Sequence, residues 1–246
     1  MNTCRLSQGI DKFEATSDTL TGRGGLVLFS RYVEGVGILG LLEDCFGDLR
    51  GSLKGLAIWK LFHQVLCFFF DGTSRNLSYF DQSQKDEGYA GAIQVLPEEM
   101  ASSHTVKRFF RLFSWVAGGT FRKVLRQLFL WRLRIEQPDV IKVTLDSMVM
   151  DNDEAEKRHG ASPTYKKVKG FQPLQVTWKG KIVDAIFRGG KKHCNCGKTA
   201  VHMITELVTF IRTHYREDVT ILLRIDAGFF DEENYVAFDA LGTCLP

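Results

Sequence analysis

Residues 219–230 read VTILLRIDAGFF. From Val219 to Ile225 the run is almost wholly apolar, the pattern of a strand covered on both faces, and it stops at Asp226 before a Gly-containing turn. A carboxylate placed directly after such a strand is costly to shield from water unless something pairs with it. A second strand signal carries the same feature. Residues 140–150, VIKVTLDSMVM, alternate through a β-branched run with Asp146 inside it. Two further strand patterns, 171–178 and 181–187, are joined by the short turn Lys179-Gly180. A polar loop and a helical pattern from Thr199 to Tyr215 then lead to Val219. Three strands linked by short turns are antiparallel, and a fourth reached through a helical crossover can run parallel to the first.

Ligand sites in open α/β sheets gather at the carboxyl ends of strands. If the first and fourth strands are neighbours, Asp146 and Asp226 face one another across a few ångströms. Two such charges repel by about 4 kcal/mol at 4 Å with an effective dielectric near 20. A divalent cation removes that penalty; Mg²⁺ takes a few carboxylates and keeps waters or phosphate oxygens as its remaining ligands. Two ions about 4 Å apart can serve both the attacking and the leaving oxygen of a phosphodiester. Taken singly, each acid also has an ordinary structural reading. Asp146 fits a strand-edge residue, and Asp226 fits a cap on the turn at Gly228.

Upstream of Glu136-Gln137-Pro138-Asp139 the periodicity is helical, which predicts a helical region over 1–137 and the sheet-bearing region over 138–246. Helical patterns cover Gly25 to Phe46 and Ser52 to Phe70, and polar stretches over 71–100 suggest loops with one short helix. From Ser103 to Ile135 come two patterns, broken at Gly118-Gly119, with Ser102 or Ser103 and then Thr120 as caps. That stretch holds eight basic residues, Lys107, Arg108, Arg111, Arg122, Lys123, Arg126, Arg132 and Arg134, and no acid. A basic face without local carboxylates suits phosphate; a solvated basic helix pair suits the same pattern.

Composition narrows the class without choosing a function. The 246 residues carry a net charge of +3, which permits nucleic-acid binding but does not argue for it. Phe is frequent at 19 copies, and it falls inside helical apolar patterns that core packing explains. The most apolar segment, Ile58 to Phe70, is 13 residues long and is interrupted by Lys60, His63 and Gln64. A membrane span needs roughly 20 apolar residues, so this is expected to be a buried helix and no membrane is implied. No secretory signal is visible in the polar first twenty residues. The six cysteines are scattered apart from Cys194 and Cys196, whose C-x-C spacing beside His193 makes a metal site conceivable. Free thiols in a reducing cytosol are the default reading.

Four segments together resemble the DDE transposases of bacterial insertion sequences, which have an RNase H-like domain, and within them the insertion-sequence thirteen-eighty group. They are VTLDSMVMDND around Asp146, YKKVKGFQPLQVTWKGKIVDAIFRGGKKH with Gly170 and Pro173, LLRIDAGFF around Asp226, and MASSHTVKRFF in the helical half. The resemblance implies an α/β (α+β) fold, with N-terminal helices followed by an incomplete RNase H-like mixed sheet with helices. It implies Asp146 and Asp226 as catalytic acids holding Mg²⁺ or Mn²⁺, with two ions in the complete enzyme. It implies double-stranded DNA as partner, both the element's terminal inverted repeats and the target, with a homodimer in the intact enzyme and a cytoplasmic, nucleoid-associated location. Lys107, Arg108, Arg111, Arg122, Lys123, Arg126, Lys166, Lys167 and Arg188 are the expected DNA contacts. Lys169, Lys191 and Lys192 lie among the basic residues that could also meet phosphate, and surface charge explains any one of them equally.

Two departures qualify the match. Ser147 directly follows Asp146, where the family often has a further aspartate nearby; here Asp151 and Asp153 stand further along. The family's third acid, a glutamate on a downstream helix, has no counterpart in the 20 residues after Asp226, and Glu232 and Glu233 come too soon. The expectation is therefore a truncated transposase, inactive alone. An alternative is a catalytically inactive DNA-binding remnant that competes with intact transposase.

Overall fold

The computed structural model describes residues 17–18, 21–51, 54–113, 115–154, 160–192, 198–229 and 231–244. Cys4, His193, Cys194 and Cys196 lie outside this set, and with them the conceivable metal site. The chain forms two compact units, residues 1–112 and 113–246. The division expected at 137/138 falls inside the second unit, in the turn between a long helix and the first strand.

The first unit is helical: α1 (Gly24–Gly35), α2 (Ile38–Phe46), α3 (Ile58–Asp71), α4 (Tyr79–Ser83), α5 (Glu87–Ala92) and α6 (Ser103–Arg111). The single pattern read over 25–46 is two helices, because Gly37 takes a left-handed φ of 70° and turns the chain between them. The stretch 71–100 holds two short helices and a 3-10 turn at 97–99 instead of one helix. Phenylalanines explain the packing: Phe62 of α3 meets Phe46 of α2 at 5.3 Å and Phe109 of α6 edge-on at 5.0 Å, while Phe68 meets Phe80 at 4.9 Å. The buried side chains of His63 and Gln64 on α3 are hydrogen-bonded. Ser30 Oγ lies 2.9 Å from His63 Nε2 and donates to the Ile93 carbonyl, and Gln64 bridges the Ala101 amide and the Glu99 carbonyl. Among the described residues no single helix is long and apolar enough to cross a membrane.

The second unit opens with α7 (Trp115–Glu136), a continuous helix of 22 residues. Gly118 and Gly119 do not break it, contrary to expectation. Glycine costs only about 1 kcal/mol in a helix, and burial of Val124, Phe129, Leu130 and Leu133 along the same helix outweighs that. The strands are β1 (Val140–Ser147), β2 (Met150–Asp151), β3 (Ser162–Pro163), β4 (Lys169–Phe171), β5 (Leu174–Trp178), β6 (Lys181–Ile186) and β7 (Thr220–Ile225), with α8 (Thr199–His214) before β7 and α9 (Glu232–Ala240) after it.

The main sheet has the order β6-β5-β1-β7, with β1 antiparallel to β5 and parallel to β7. Ile141, Val143 and Leu145 of β1, Val176 and Trp178 of β5, and Ile221 and Leu223 of β7 are buried in one core with Phe129 and Leu133 of α7 and Met203, Leu207 and Ile211 of α8. Alternate residues face away: Lys142, Thr220 and Arg224 are exposed, and Thr144, Gln175 and Thr177 half-buried. Coverage of β7 on both faces is therefore not found among the described residues; its burial alternates, as a one-sided strand requires. At the outer edge of β7, Cys244 forms an isolated parallel bridge with Leu222.

A second, three-stranded sheet of order β2-β4-β3 was not foreseen. Its strands are two or three residues long and carry little apolar pattern. Glycine makes it possible. A Cβ on Gly190 would stand 2.2 Å from the Ser162 carbonyl and 2.7 Å from that of Gly170, and one on Gly170 would stand 2.2 Å from the Met150 carbonyl. Gly190→Ala is expected to lower stability by at least ~2 kcal/mol in urea unfolding, because backbone must move. Gly118→Ala, an exposed helical site with nothing within 4 Å, should instead raise stability by roughly 0.5–1 kcal/mol. Equal effects of the two substitutions would contradict this packing.

Candidate functional site

The register of the two parallel strands pairs Leu145 with Ile225. Asp146 and Asp226 are each the next residue along, at the same carboxyl end of adjoining strands, where neighbouring backbones run about 4.8 Å apart. Asp146 is half-buried and Asp226 exposed. Each carboxylate is oriented by a local amide: the Ser147 N–H donates to Asp146 Oδ1 at 2.7 Å, and the Gly228 N–H to Asp226 Oδ1 at 2.9 Å. The second of these is the turn cap that Asp226 was read as on its own, reinforced by the Phe229 N–H on the Asp226 carbonyl at 3.1 Å. Neither acid forms an ion pair among the described residues, and the second oxygen of each is not hydrogen-bonded there. Asp151 and Asp153 are used locally, accepting from the Asp153 and Lys169 amides. Glu232 and Glu233 sit in the first turn of α9, behind the Asp231 cap.

The end of β1 is fastened from the side. Gln172, buried, donates from Nε2 to Ser147 Oγ at 3.4 Å, and the Met148 amide donates to the Pro173 carbonyl at 3.2 Å. Arg188 is only 6% exposed; its Nε donates to the Gln172 carbonyl at 3.1 Å, while the Gln172 amide donates to the Arg188 carbonyl. Arg188 thus braces the strand end rather than offering its charge to solvent.

The nine expected DNA contacts separate into two groups. Lys107, Arg108 and Arg111 are exposed on α6, and Lys123, Lys166 and Lys167 are exposed in the second unit. Arg122 and Arg126 are not. Arg122 grips Asp184 of β6 with two bonds of 2.8 and 2.9 Å, and Arg126 adds 2.7 Å to the same carboxylate. Both reach Glu206 of α8, at 2.7 and 2.9 Å. Asp184 is fully buried, so its charge requires these partners. Burial pushes the Glu206 carboxyl up, but Arg126 and Arg122 outweigh it and hold the group below its usual range. The absence of acids between 103 and 135 was a local reading; the compensating acids arrive from β6 and α8. The signal available in the sequence was Asp184 itself, a lone acid inside the apolar run IVDAIF.

The α6 charges are organised differently. His104, Lys107, Arg108 and Arg111 are all exposed and fall at helical spacing, while Ser103, Val106 and Phe109 face inward. Ser102 caps the helix through the Thr105 amide, and Asp81 accepts from both the Ser103 amide (2.8 Å) and its hydroxyl (2.6 Å). The helix therefore presents a fixed cationic stripe.

The second unit is thus a mixed α/β sheet domain in which two adjoining parallel strands carry an aspartate at their carboxyl ends. The chain belongs to the transposase DDE domain group 1 family, whose model matches residues 12–243. No protein with a curated description matches it. Among solved structures it is similar to the Mos1 mariner paired end complex with Mn, at 11% identity over 90% of this chain and 76% of that one, with a TM-score of 0.32. The Mos1 strand transfer complex is 9% identical over 93% and 78%, with a TM-score of 0.29.

Asp184→Ala is expected to lower the stability of the protein by about 3–5 kcal/mol, since two arginines lose their buried counter-charge. The Glu206 contribution has a depressed carboxyl, so it is present above the ordinary carboxylate range and is lost as pH falls through its lower folded value. Thermal unfolding of Glu206→Gln against the parent should therefore differ at neutral pH and converge under strong acid. A difference that grows on acidification would contradict the assignment.

Proposed function

We propose that the protein is a transposase of a bacterial insertion sequence that acts on chromosomal DNA in the cytoplasm, with Asp146 and Asp226 as its metal-holding acids. The observation that carries this reading is the pairing of Leu145 with Ile225, which leaves the two acids as the next residues on adjoining parallel strands. The donor set suits a hard cation: two carboxylates, oriented by the Ser147 and Gly228 amides, with no cation of the protein paired to either among the described residues. Mg²⁺ or Mn²⁺ held there would supply an activated oxygen and neutralise charge building on a phosphodiester. Asp146 and Asp226 hold their orientation through the amide bonds, so positioning does not depend on the ion. No group of three His, Cys, Asp or Glu converges as a ligand set among the described residues. Two carboxylates leave coordination to be completed by other groups, and strand transfer by this chain alone is not expected.

Duplex DNA is bound, in this reading, by the α6 stripe of Lys107, Arg108 and Arg111; Lys123, Lys166 and Lys167 of the second unit meet DNA phosphates separately. The stripe also suits DNA binding without catalysis, so the two functions are tested separately.

For the metal, Mn²⁺ should raise the melting temperature of the parent protein and leave Asp146→Asn and Asp226→Asn unmoved. Neutralising one acid removes a repulsion of about 1 kcal/mol at 4.8 Å in water-like surroundings, so the metal-free variants should melt no lower than the parent. A Mn²⁺ shift retained by both variants would sink the assignment. For DNA, replacing Lys107, Arg108 and Arg111 with Ala should flatten the dependence of log affinity for duplex on log salt by about one unit per lost contact. An unchanged slope would remove α6 from the interface.

A further inference from the structure

The small sheet carries a feature that neither the paired acids nor the α6 stripe uses. β3 and β4 form a hairpin whose tip is Tyr165-Lys166-Lys167. The turn is closed by the Thr164 amide on the Val168 carbonyl and the Lys167 amide on the Thr164 carbonyl, both 2.9 Å, and by the Thr164 hydroxyl on the same Val168 oxygen. Lys167 adopts a left-handed φ of 63° to complete it. The tip therefore has a defined shape, on a base made rigid by the backbone contacts at Gly170 and Gly190.

On this tip Tyr165 is 59% exposed, with Lys166 Nζ at 5.9 Å from the ring centroid and Lys167 exposed beside it. At the base Phe187 is 56% exposed and packs against Phe171 at 4.8 Å. Residues 160–171 and 187–192 contain Lys166, Lys167, Lys169, Arg188, Lys191 and Lys192 and no acid. Exposed aromatic rings are costly in water, and here Tyr165 is flanked by the exposed cations Lys166 and Lys167. That combination matches an unpaired nucleic-acid strand, whose bases stack on aromatic faces while its phosphates meet lysines. A duplex hides its base faces and offers nothing to Tyr165.

The sheet's position gives the arrangement a purpose. β2, which pairs with β4, follows β1 just after Asp146, and Gln172, next to β4, bonds Ser147. We propose that the β3–β4 hairpin is a binding platform for an unpaired DNA strand beside the acids, with Tyr165 stacking on a base and Lys166 and Lys167 meeting its flanking phosphates. The purpose, though not the binding, rests on the reading of Asp146 and Asp226 as the reacting centre.

The test compares two fluorescent DNA probes, a blunt duplex and the same duplex with a short unpaired 3′ arm bearing 2-aminopurine, titrated with the full chain in EDTA. The parent should bind the branched probe more tightly and quench 2-aminopurine. Tyr165→Ala should weaken branched-probe binding about tenfold, change blunt-duplex binding less than twofold, and lose the quench, while Tyr165→Phe keeps all three properties. Equal affinity of parent and Tyr165→Ala for the branched probe, or an equal fall on both probes, overturns the proposal. Without metal the outcome does not depend on the acids: Asp146→Asn should leave the preference intact, so failure here and failure of the metal site register separately.

Discussion

The parallel pairing of β1 with β7 is the constraint from which the second unit is built. Parallel neighbours cannot be joined by a tight turn, so the chain must leave β6, cross through α8 and return. α8 meets the cost of that crossover by burying Ala200, Met203, Leu207 and Ile211 on the sheet face that also holds Ile141, Val143 and Leu145. Because side chains in the two strands alternate in step, one register decides both which residues enter the core and which stand level at the strand ends. A slip of one residue would turn Leu145 outward and move Asp146 away from Asp226.

Arginine shows how little residue type alone determines. Arg122 and Arg126 lie one helical turn apart and read from the sequence like Arg108 and Arg111. Their fates differ because α7 lies against β6, where Asp184 is buried, whereas Arg108 and Arg111 of α6 are exposed and form no ion pair among the residues described. A buried carboxylate without partners would be far more costly than a solvated one, so Asp184 and the two arginines are a single structural unit that ties α7, β6 and, through Glu206, α8 together.

What was legible follows from range. Alternation over 140–150, the turn at Lys179-Gly180 and the helical period from Thr199 are local signals, and each element stands within a few residues of its expected place. The fold class followed from their order. The meeting of Asp146 and Asp226 was legible as a condition on β1 and β7 adjoining, and the register that pairs Leu145 with Ile225 then sets their level. Long-range compensation was hidden: nothing near Arg122 announces Asp184, which is 62 positions away. The small sheet was hidden for a different reason. Its strands are held by backbone contact through Gly170 and Gly190, and a contact without side chains leaves no hydrophobic period to read.

The charge arrangement around the strand ends also bears on how a fold carries two adjoining acids with no ion-pair partner among the described residues. The amide of Ser147 and that of Gly228 each direct a partial positive charge at one carboxylate oxygen. Arg224 stands on the uncovered side of β7, two residues before Asp226 and level with Thr144. Two strand residues span roughly 7 Å, at which a full charge contributes only about 0.6 kcal/mol in water. Such an attraction softens the repulsion between the acids without satisfying it. Exposure of Asp226 lets solvent absorb the rest. An arginine in direct contact would have stabilised the strand ends more, and would have occupied the carboxylate oxygens that the proposed divalent cation would take.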